Sequence, residues 1–178
     1  MPKWSQFLLV AVLGLGLGAL YAWWSHPAPP SPGVEGAAVG DQRPDFRHGN
    51  LQGEWVSASD FDGQLLLVNF WATWCPPCVR EMPILQAASE AHAGQLAVVG
   101  IAIDEPGPVR EFVEDLGITY PILIGATDVI ATQRAWGNRS GALPYTVLVD
   151  AEGIIRWQHL GEVTADELDD ILAPWLLK

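Results

Sequence analysis

Residues 65–85 read LLLVNFWATWCPPCVREMPIL. Leu65 to Trp71 is an apolar run with β-branched and aromatic members, the pattern of a strand buried on both faces. From Pro77 to about His92 the apolar residues Val79, Met82, Leu85 and Ala88 recur at three- and four-residue spacings, which predicts a helix. Pro83 interrupts that pattern and is expected to kink it. Trp74-Cys75-Pro76-Pro77-Cys78 therefore lies where a buried strand hands over to a helix.

That position supplies chemistry. Cys75 falls at the helix N-cap, where free N–H groups and the helix dipole favour a thiolate. The thiolate is the species that attacks a disulfide. Cys78 lies one turn further on, so its sulfur can reach Cys75 and resolve a mixed disulfide. Pro76 at the first helical position costs nothing, because that N–H is unsatisfied anyway. Pro77 removes a second free N–H that could have donated to the sulfur, leaving that of Cys78. One lost donor to an anion is worth roughly 1–2 kcal/mol, about one pH unit. A mildly stabilised thiolate makes a reductant, since strong oxidants are those whose reduced form is stabilised. A structural disulfide is the plain alternative; a strand-tip position, a neighbouring Trp and two intervening prolines speak against it. A metal clip is another, but His48, His92 and His159 show no ligand spacing.

Outward from this stretch, Leu96 to Ile103 reads as a second buried strand and Val109 to Leu116 as a short amphipathic helix with Glu111, Glu114 and Asp115 on its wet side. With Asp104 and Glu105 these acids read as a solvated face. Ile122 to Ile124 fits a short strand and Val129 to Trp136 another helix. Tyr145 to Val149 and Ile154 to His159 are strands separated by the turn signal Asp150-Ala151-Glu152-Gly153. Thr164 to Leu177 closes the chain as a helix, with Thr164 and Glu167 placed for a capping box. Alternating strands and helices predict an α/β sandwich around a mainly parallel sheet.

Towards the amino terminus the composition changes. Phe7 to Trp24, FLLVAVLGLGLGALYAWW, carries no charge. It is longer than the core of a cleaved signal and ends in the aromatic residues Tyr21, Trp23 and Trp24, suited to a headgroup belt. Residues 1–24 are thus expected to be a signal anchor or transmembrane helix; Ala19 and Ala22 leave cleavage as the alternative. Lys3 precedes the run and Arg43 is the next cation, so the remainder should lie outside the cytoplasm. Residues 25–40, rich in Pro and Gly, read as a flexible tether, and 41–178 as one domain. The chain carries a formal charge of −12, which disfavours a nucleic-acid partner.

Asn69 to Leu85, with Gly141-Ala142-Leu143-Pro144-Tyr145-Thr146-Val147-Leu148-Val149-Asp150, resembles the membrane-tethered TlpA/ResA-like branch of the thioredoxin superfamily. The resemblance extends from about Asp41 to the end. It implies a thioredoxin fold: a central mixed β-sheet flanked by helices, an N-terminal hairpin and an inserted strand–helix unit, placed at Val109 to Ile124. It also implies thiol–disulfide exchange on the non-cytoplasmic side; no cofactor and no metal is expected. Pro144 matches a proline preceded by a cis peptide bond; Leu143 and Pro144 would then offer backbone groups to an extended substrate. Glu81 matches an acidic residue near the cysteines. Ordinary thioredoxins carry an aspartate six residues before the first cysteine; here that position is Asn69, which cannot titrate. Glu81 is the substitute expected to take the proton of Cys78, the alternative being a solvated carboxylate paired with Arg80. Trp74 and Pro76 complete the predicted contact surface, while Trp71 reads equally well as core.

The expected protein is an extracytoplasmic thiol:disulfide oxidoreductase of the inner membrane, a reductant with catalytic Cys75, Cys78 and Glu81. Its partners would be disulfide-containing client proteins, of the cytochrome c or metal-site assembly type, and a membrane thiol electron-relay donor. The sequence ALPYT departs from the GAPET usual in cytochrome c maturation reductases. A Cu(I) metallochaperone and a thiol peroxidase are the alternatives. The first lacks a nearby Met or His ligand. The second wants a P-x-x-x-[ST]-x-x-C loop that is not present.

Overall fold

A computed structural model describes residues 36–176. The apolar run and all of the tether up to residue 35 lie outside the described residues, as do residues 177 and 178. Among the described residues, no helix is long and apolar enough to cross a membrane.

Strand β3 (Leu65–Trp71) is the centre of the domain, and every one of its residues is buried. Its side chains alternate between two cores. Leu65, Leu67 and Trp71 join Cys75, Cys78, Met82 and Leu85 on one face. Leu66, Val68 and Phe70 join Phe46, Val129 and Trp136 on the other. Two apolar faces explain why the run does not alternate in polarity. Asn69 sits on the first of these faces, at a position its neighbours fill with Leu67 and Trp71.

On one side β3 pairs in parallel with β4 (Leu96–Ile103), which pairs in parallel with β5 (Ile122–Gly125). On the other it pairs antiparallel with β6 (Tyr145–Val149), followed by β7 (Ile155–Leu160). The hairpin β1 (Arg47–Asn50) and β2 (Trp55–Ser57) adds antiparallel to the edge of β5. The sheet order is β2-β1-β5-β4-β3-β6-β7. The sheet is therefore mixed rather than mainly parallel: alternation of strand and helix holds only from β3 to β6, and both edges are built from hairpins.

Among the described residues, four α-helices cover it: α1 (Pro76–Ala91), α2 (Pro106–Leu116), α3 (Thr127–Ala135) and α4 (Ala165–Leu176). Helix α1 runs without a break through Pro83. The inserted unit lies between β4 and α3 at the expected residues, with helix α2 ahead of strand β5, the order in which the patterns at Val109 to Leu116 and Ile122 to Ile124 place them. The domain also reaches further back than residue 41. Ala37 N donates to Ala135 O at 2.8 Å and Gly40 N to Ile155 O at 2.8 Å, so residues 37–40 are docked onto it. Apolar pattern could not reveal this, because the docking uses backbone groups.

Two details hold the central strands in place. Gly100 of β4 faces Trp71; a Cβ there would come within 3.0 Å of the Trp71 Nε1 and 2.7 Å of Ile122 Cδ1. The turn from β6 to β7 forms on Asp150, whose Oδ1 accepts from Glu152 N at 3.0 Å and Ile154 N at 2.8 Å.

Candidate active site

Cys75 is the N-cap of α1 and is joined to Cys78 by a disulfide, with the two Cα atoms 5.3 Å apart. Pro76 and Pro77 occupy the first two helical positions. The next N–H, that of Cys78, points at the Cys75 Sγ across 3.3 Å. The prolines have thus removed two of the donors a helix start would offer an anion, and one remains. Cys75 is 4% exposed and Cys78 is fully buried. A helix-tip sulfur that swaps partners would face solvent; joined in the disulfide, Cys75 is instead almost wholly enclosed, and of the two cysteines it is the one that keeps some exposed surface. The flanking Trp74 is 66% exposed and Pro76 is exposed, so the rim stands open around a recessed disulfide. Trp71 is core: it is completely buried and packs on Phe112.

The turn that carries Trp74 is braced from the neighbouring strand. Asp104, just past the end of β4, accepts from Thr73 N at 3.1 Å and from the Thr73 hydroxyl. The reading of Asp104 as part of a solvated face is corrected here: it is half-buried and fixes the active-site turn.

Across the site lies the segment before β6. The Leu143–Pro144 peptide is cis. Phe70 opposes Tyr145 in the β3–β6 register, so Pro144 stands where β3 departs toward the cysteines. Pro144 O accepts from Gly161 N at 2.9 Å. The preceding loop is tied by Asn138, which is 3% exposed. Its Nδ2 donates to Ala142 O at 2.7 Å, and its Oδ1 accepts from Ser140 Oγ at 2.7 Å and Gly141 N at 3.0 Å.

Glu81 lies one helical turn after Cys78 and is completely buried. Its Oε1 accepts from Asn69 Nδ2 at 2.7 Å and its Oε2 from Val163 N at 2.9 Å. It is not the partner of Arg80, whose guanidinium instead grips Glu162, with Nε 2.9 Å from Oε2. Burial raises the Glu81 carboxyl from 4.5 to about 7; the Val163 and Asn69 donors hold it back, and the nearby charge of Glu162 adds to the rise. A carboxyl poised there can accept and return a proton near neutral pH. His159 is half-buried on β7 and stacks on Trp157 at 5.2 Å.

The structure thus brings Cys75, Cys78 and Glu81 to one helix end, with Leu143 and Pro144 in the segment leading into the adjacent β6 and Trp74 and Pro76 on the rim. Residue-by-residue reading misplaced Asp104 on a solvated face and passed over Asn138 and Val163. A polar residue inside the apolar β3 run marks Asn69. Val163 acts through its backbone, which leaves no trace in the sequence.

A protein-family model, described as the AhpC/TSA family, matches residues 39–158. The chain belongs to the AhpC/TSA family. Among its relatives, the thioredoxin-like protein YneN of Bacillus subtilis is 33% identical over 97% of this chain and 98% of its own. The thiol-disulfide oxidoreductase ResA of Geobacillus kaustophilus is 33% identical over 74% and 75%, respectively. The thiol:disulfide interchange protein DsbE of Vibrio cholerae is 34% identical over 79% and 75%. A solved structure of a secreted thiol-disulfide isomerase from Corynebacterium glutamicum superposes with a TM-score of 0.71 at 25% identity, covering 85% of this chain and 97% of that one. The AhpC/TSA member described here is a thioredoxin-like thiol–disulfide oxidoreductase of the ResA/DsbE type, consistent with the TlpA/ResA-like resemblance.

Proposed function

We propose that the protein reduces disulfides in client proteins on the non-cytoplasmic side of the inner membrane, held there by residues 1–24. The reading is carried by one observation: a Cys75–Cys78 disulfide at a helix end, with the buried Glu81 carboxyl pinned one turn behind it. In the reduced protein the Cys75 thiolate attacks a client disulfide; a mixed disulfide forms and one client sulfur leaves as thiolate. The Cys78 thiol passes its proton to Glu81, directly or through water. Its thiolate then attacks the Cys75 Sγ, and the second client sulfur is released. The client has gained two electrons, and the protein is left with the Cys75–Cys78 bond. Two electrons from a membrane thiol relay restore the dithiol, while Glu81 returns its proton.

Trp74, Pro76, Leu143 and Pro144 form the client-contact surface in this reading. A recessed disulfide between an exposed Trp and a strand-end loop suits an extended, partly unfolded segment better than a compact surface. A client of the cytochrome c or metal-site assembly type fits that requirement. Reductant character follows from the two prolines, which leave one N–H to stabilise the Cys75 thiolate.

The experiment is electron transfer from the reduced protein to an unfolded, disulfide-bonded apocytochrome c, followed by thiol alkylation and mass spectrometry. The expected result is two client thiols for each Cys75–Cys78 bond formed. Peroxide consumption without client reduction would instead identify a thiol peroxidase, and tight Cu(I) uptake without exchange a metallochaperone.

A further inference from the structure

Asn69 is fully buried on the α1 face of β3, and both hydrogens of its amide are committed: Nδ2 donates to Glu81 Oε1 at 2.7 Å and to Thr146 Oγ1 at 3.0 Å. Its Oδ1 is buried and, among the described residues, has no hydrogen-bond partner. Buried carbonyl oxygens in that state are uncommon and destabilising, so their presence calls for a reason. The partners of Glu81 supply one. Among the described residues, the carboxyl bonds only to Asn69 Nδ2 and to Val163 N. A backbone N–H can only donate, so Oε2 has no partner that could accept a proton. Oε1 faces an amide, and an amide turned over presents an acceptor of nearly the same shape.

We propose that Asn69 is a positioning residue that reverses its side-chain amide when Glu81 takes up a proton, giving the carboxyl a hydrogen-bond partner in both protonation states. In the orientation seen, the amide donates to a carboxylate. Protonated at Oε1 against that same orientation, Glu81 would set its O–H against an N–H. With the amide reversed, Oδ1 accepts from the Glu81 O–H and from the Thr146 hydroxyl, which has a hydrogen free to swing toward it. The oxygen left bare in the ionised state is thus satisfied in the protonated one, while the NH2 takes over its unpartnered place, so the buried mismatch moves between the two ends of the amide. No proton is transferred to Asn69, and no bond is made or broken beyond these hydrogen bonds.

Other groups around Glu81 do not take this role. Cys78 lies one turn before it on α1. Glu162, next to Val163, acts through its charge, and Arg80 is engaged with Glu162. The buried Tyr120 phenol is raised by its own burial and further by the Glu81 charge, so it stays neutral. His159 opposes Thr146 in the β6–β7 register. None of these hydrogen-bonds to the carboxyl.

The inference rests on Glu81 as the base for Cys78, and the experiment separates the two. The side-chain Nδ2 resonances of Asn69 and the Glu81 carboxyl carbon are followed by NMR from about pH 4 to 9 in the full-length protein. The rate of the resolving step is measured over the same range for the unmodified protein, Asn69→Leu and Glu81→Gln. The expected result is a common midpoint for the Asn69 amide and the Glu81 carboxyl. Asn69→Leu removes the donor to the carboxylate and moves the kinetic inflexion up by about one pH unit. In Glu81→Gln the Asn69 amide signals lose their pH dependence. Should Asn69→Leu not fold, the NMR midpoints of the unmodified protein decide alone. Asn69 signals that ignore the Glu81 titration, with the inflexion abolished in Glu81→Gln, overturn the role of Asn69 and leave that of Glu81 standing. An inflexion that survives in Glu81→Gln removes both.

Discussion

The backbone N–H of Val163 donates to Glu81 Oε2 at 2.9 Å, tying α1 to the segment that leads into α4. Both residues are buried, and the second carboxyl oxygen is held by Asn69 on β3. The carboxyl is therefore a fastener between three elements and, in the proposed function, also the group that exchanges a proton with Cys78. Its two duties have opposite pH requirements, and this can be measured.

Stability should fall as pH rises through the weakly acidic range. Below about pH 4.5 Glu81 is neutral both folded and unfolded and contributes no slope. Between 4.5 and about 7 the unfolded chain ionises while the folded one holds its proton, so the native state is progressively disfavoured; above about 7 the effect levels off. The full effect is on the order of 3 kcal/mol. Urea unfolding at pH 5 and pH 8 should show it, and Glu81→Gln should remove it. A wild-type difference that persists in the variant would place its origin elsewhere.

Glu81→Gln should slow the resolution of mixed disulfides at pH 7 by on the order of a hundredfold, the usual effect of losing a positioned base. The initial attack by Cys75 should change much less. Stopped-flow fluorescence, with the exposed Trp74 beside the reacting sulfur as reporter, separates the two phases. Equal slowing of both would mean that Glu81 acts on the dithiol as a whole.

Cys78→Ser should accumulate a stable mixed disulfide between Cys75 and a client, visible on a non-reducing gel, whereas Cys75→Ser should accumulate none. The prediction follows from burial: Cys78 has no exposed surface, while Cys75 retains a little. Trapping through Cys78 in the second variant would reverse the assignment of attacking and resolving sulfurs.

Asn138→Ala deletes the donor to Ala142 O and the acceptor for Ser140 and Gly141 at a buried position. A loss of about 1–3 kcal/mol in stability is expected. Because the loop leads into Leu143 and Pro144, KM for a protein client should rise, while reaction with a small disulfide such as oxidised dithiothreitol stays unchanged. A variant with normal client kinetics would restrict Asn138 to a structural role.

Much of this was legible in the chain itself. The run from Leu65 to Trp71 announced a doubly buried strand, because two apolar cores leave no polar face to alternate with. Asp150 and Gly153 marked the last hairpin, and Thr164 and Glu167 marked the start of α4, where each accepts from the other's N–H. The cysteine spacing located the dithiol. Contacts made at a distance were not legible. Nothing local ties Asp104 to Thr73 or Glu162 to Arg80, and the docking of residues 37–40 uses peptide groups common to every sequence. The order of α2 and β5, by contrast, was legible, because the amphipathic pattern at Val109 to Leu116 places a helix ahead of the apolar run at Ile122 to Ile124.

The brace between Asp104 and Thr73 has a consequence for how such a molecule can be altered. It fastens the turn before the dithiol to the end of β4, the strand paired in parallel with the fully buried β3. The sulfur chemistry is mounted on the centre of the sheet, while Trp74 and Pro76 project from it into open solvent. Replacing those outer side chains should retune partner preference as changing a key's teeth does, with the bow left untouched.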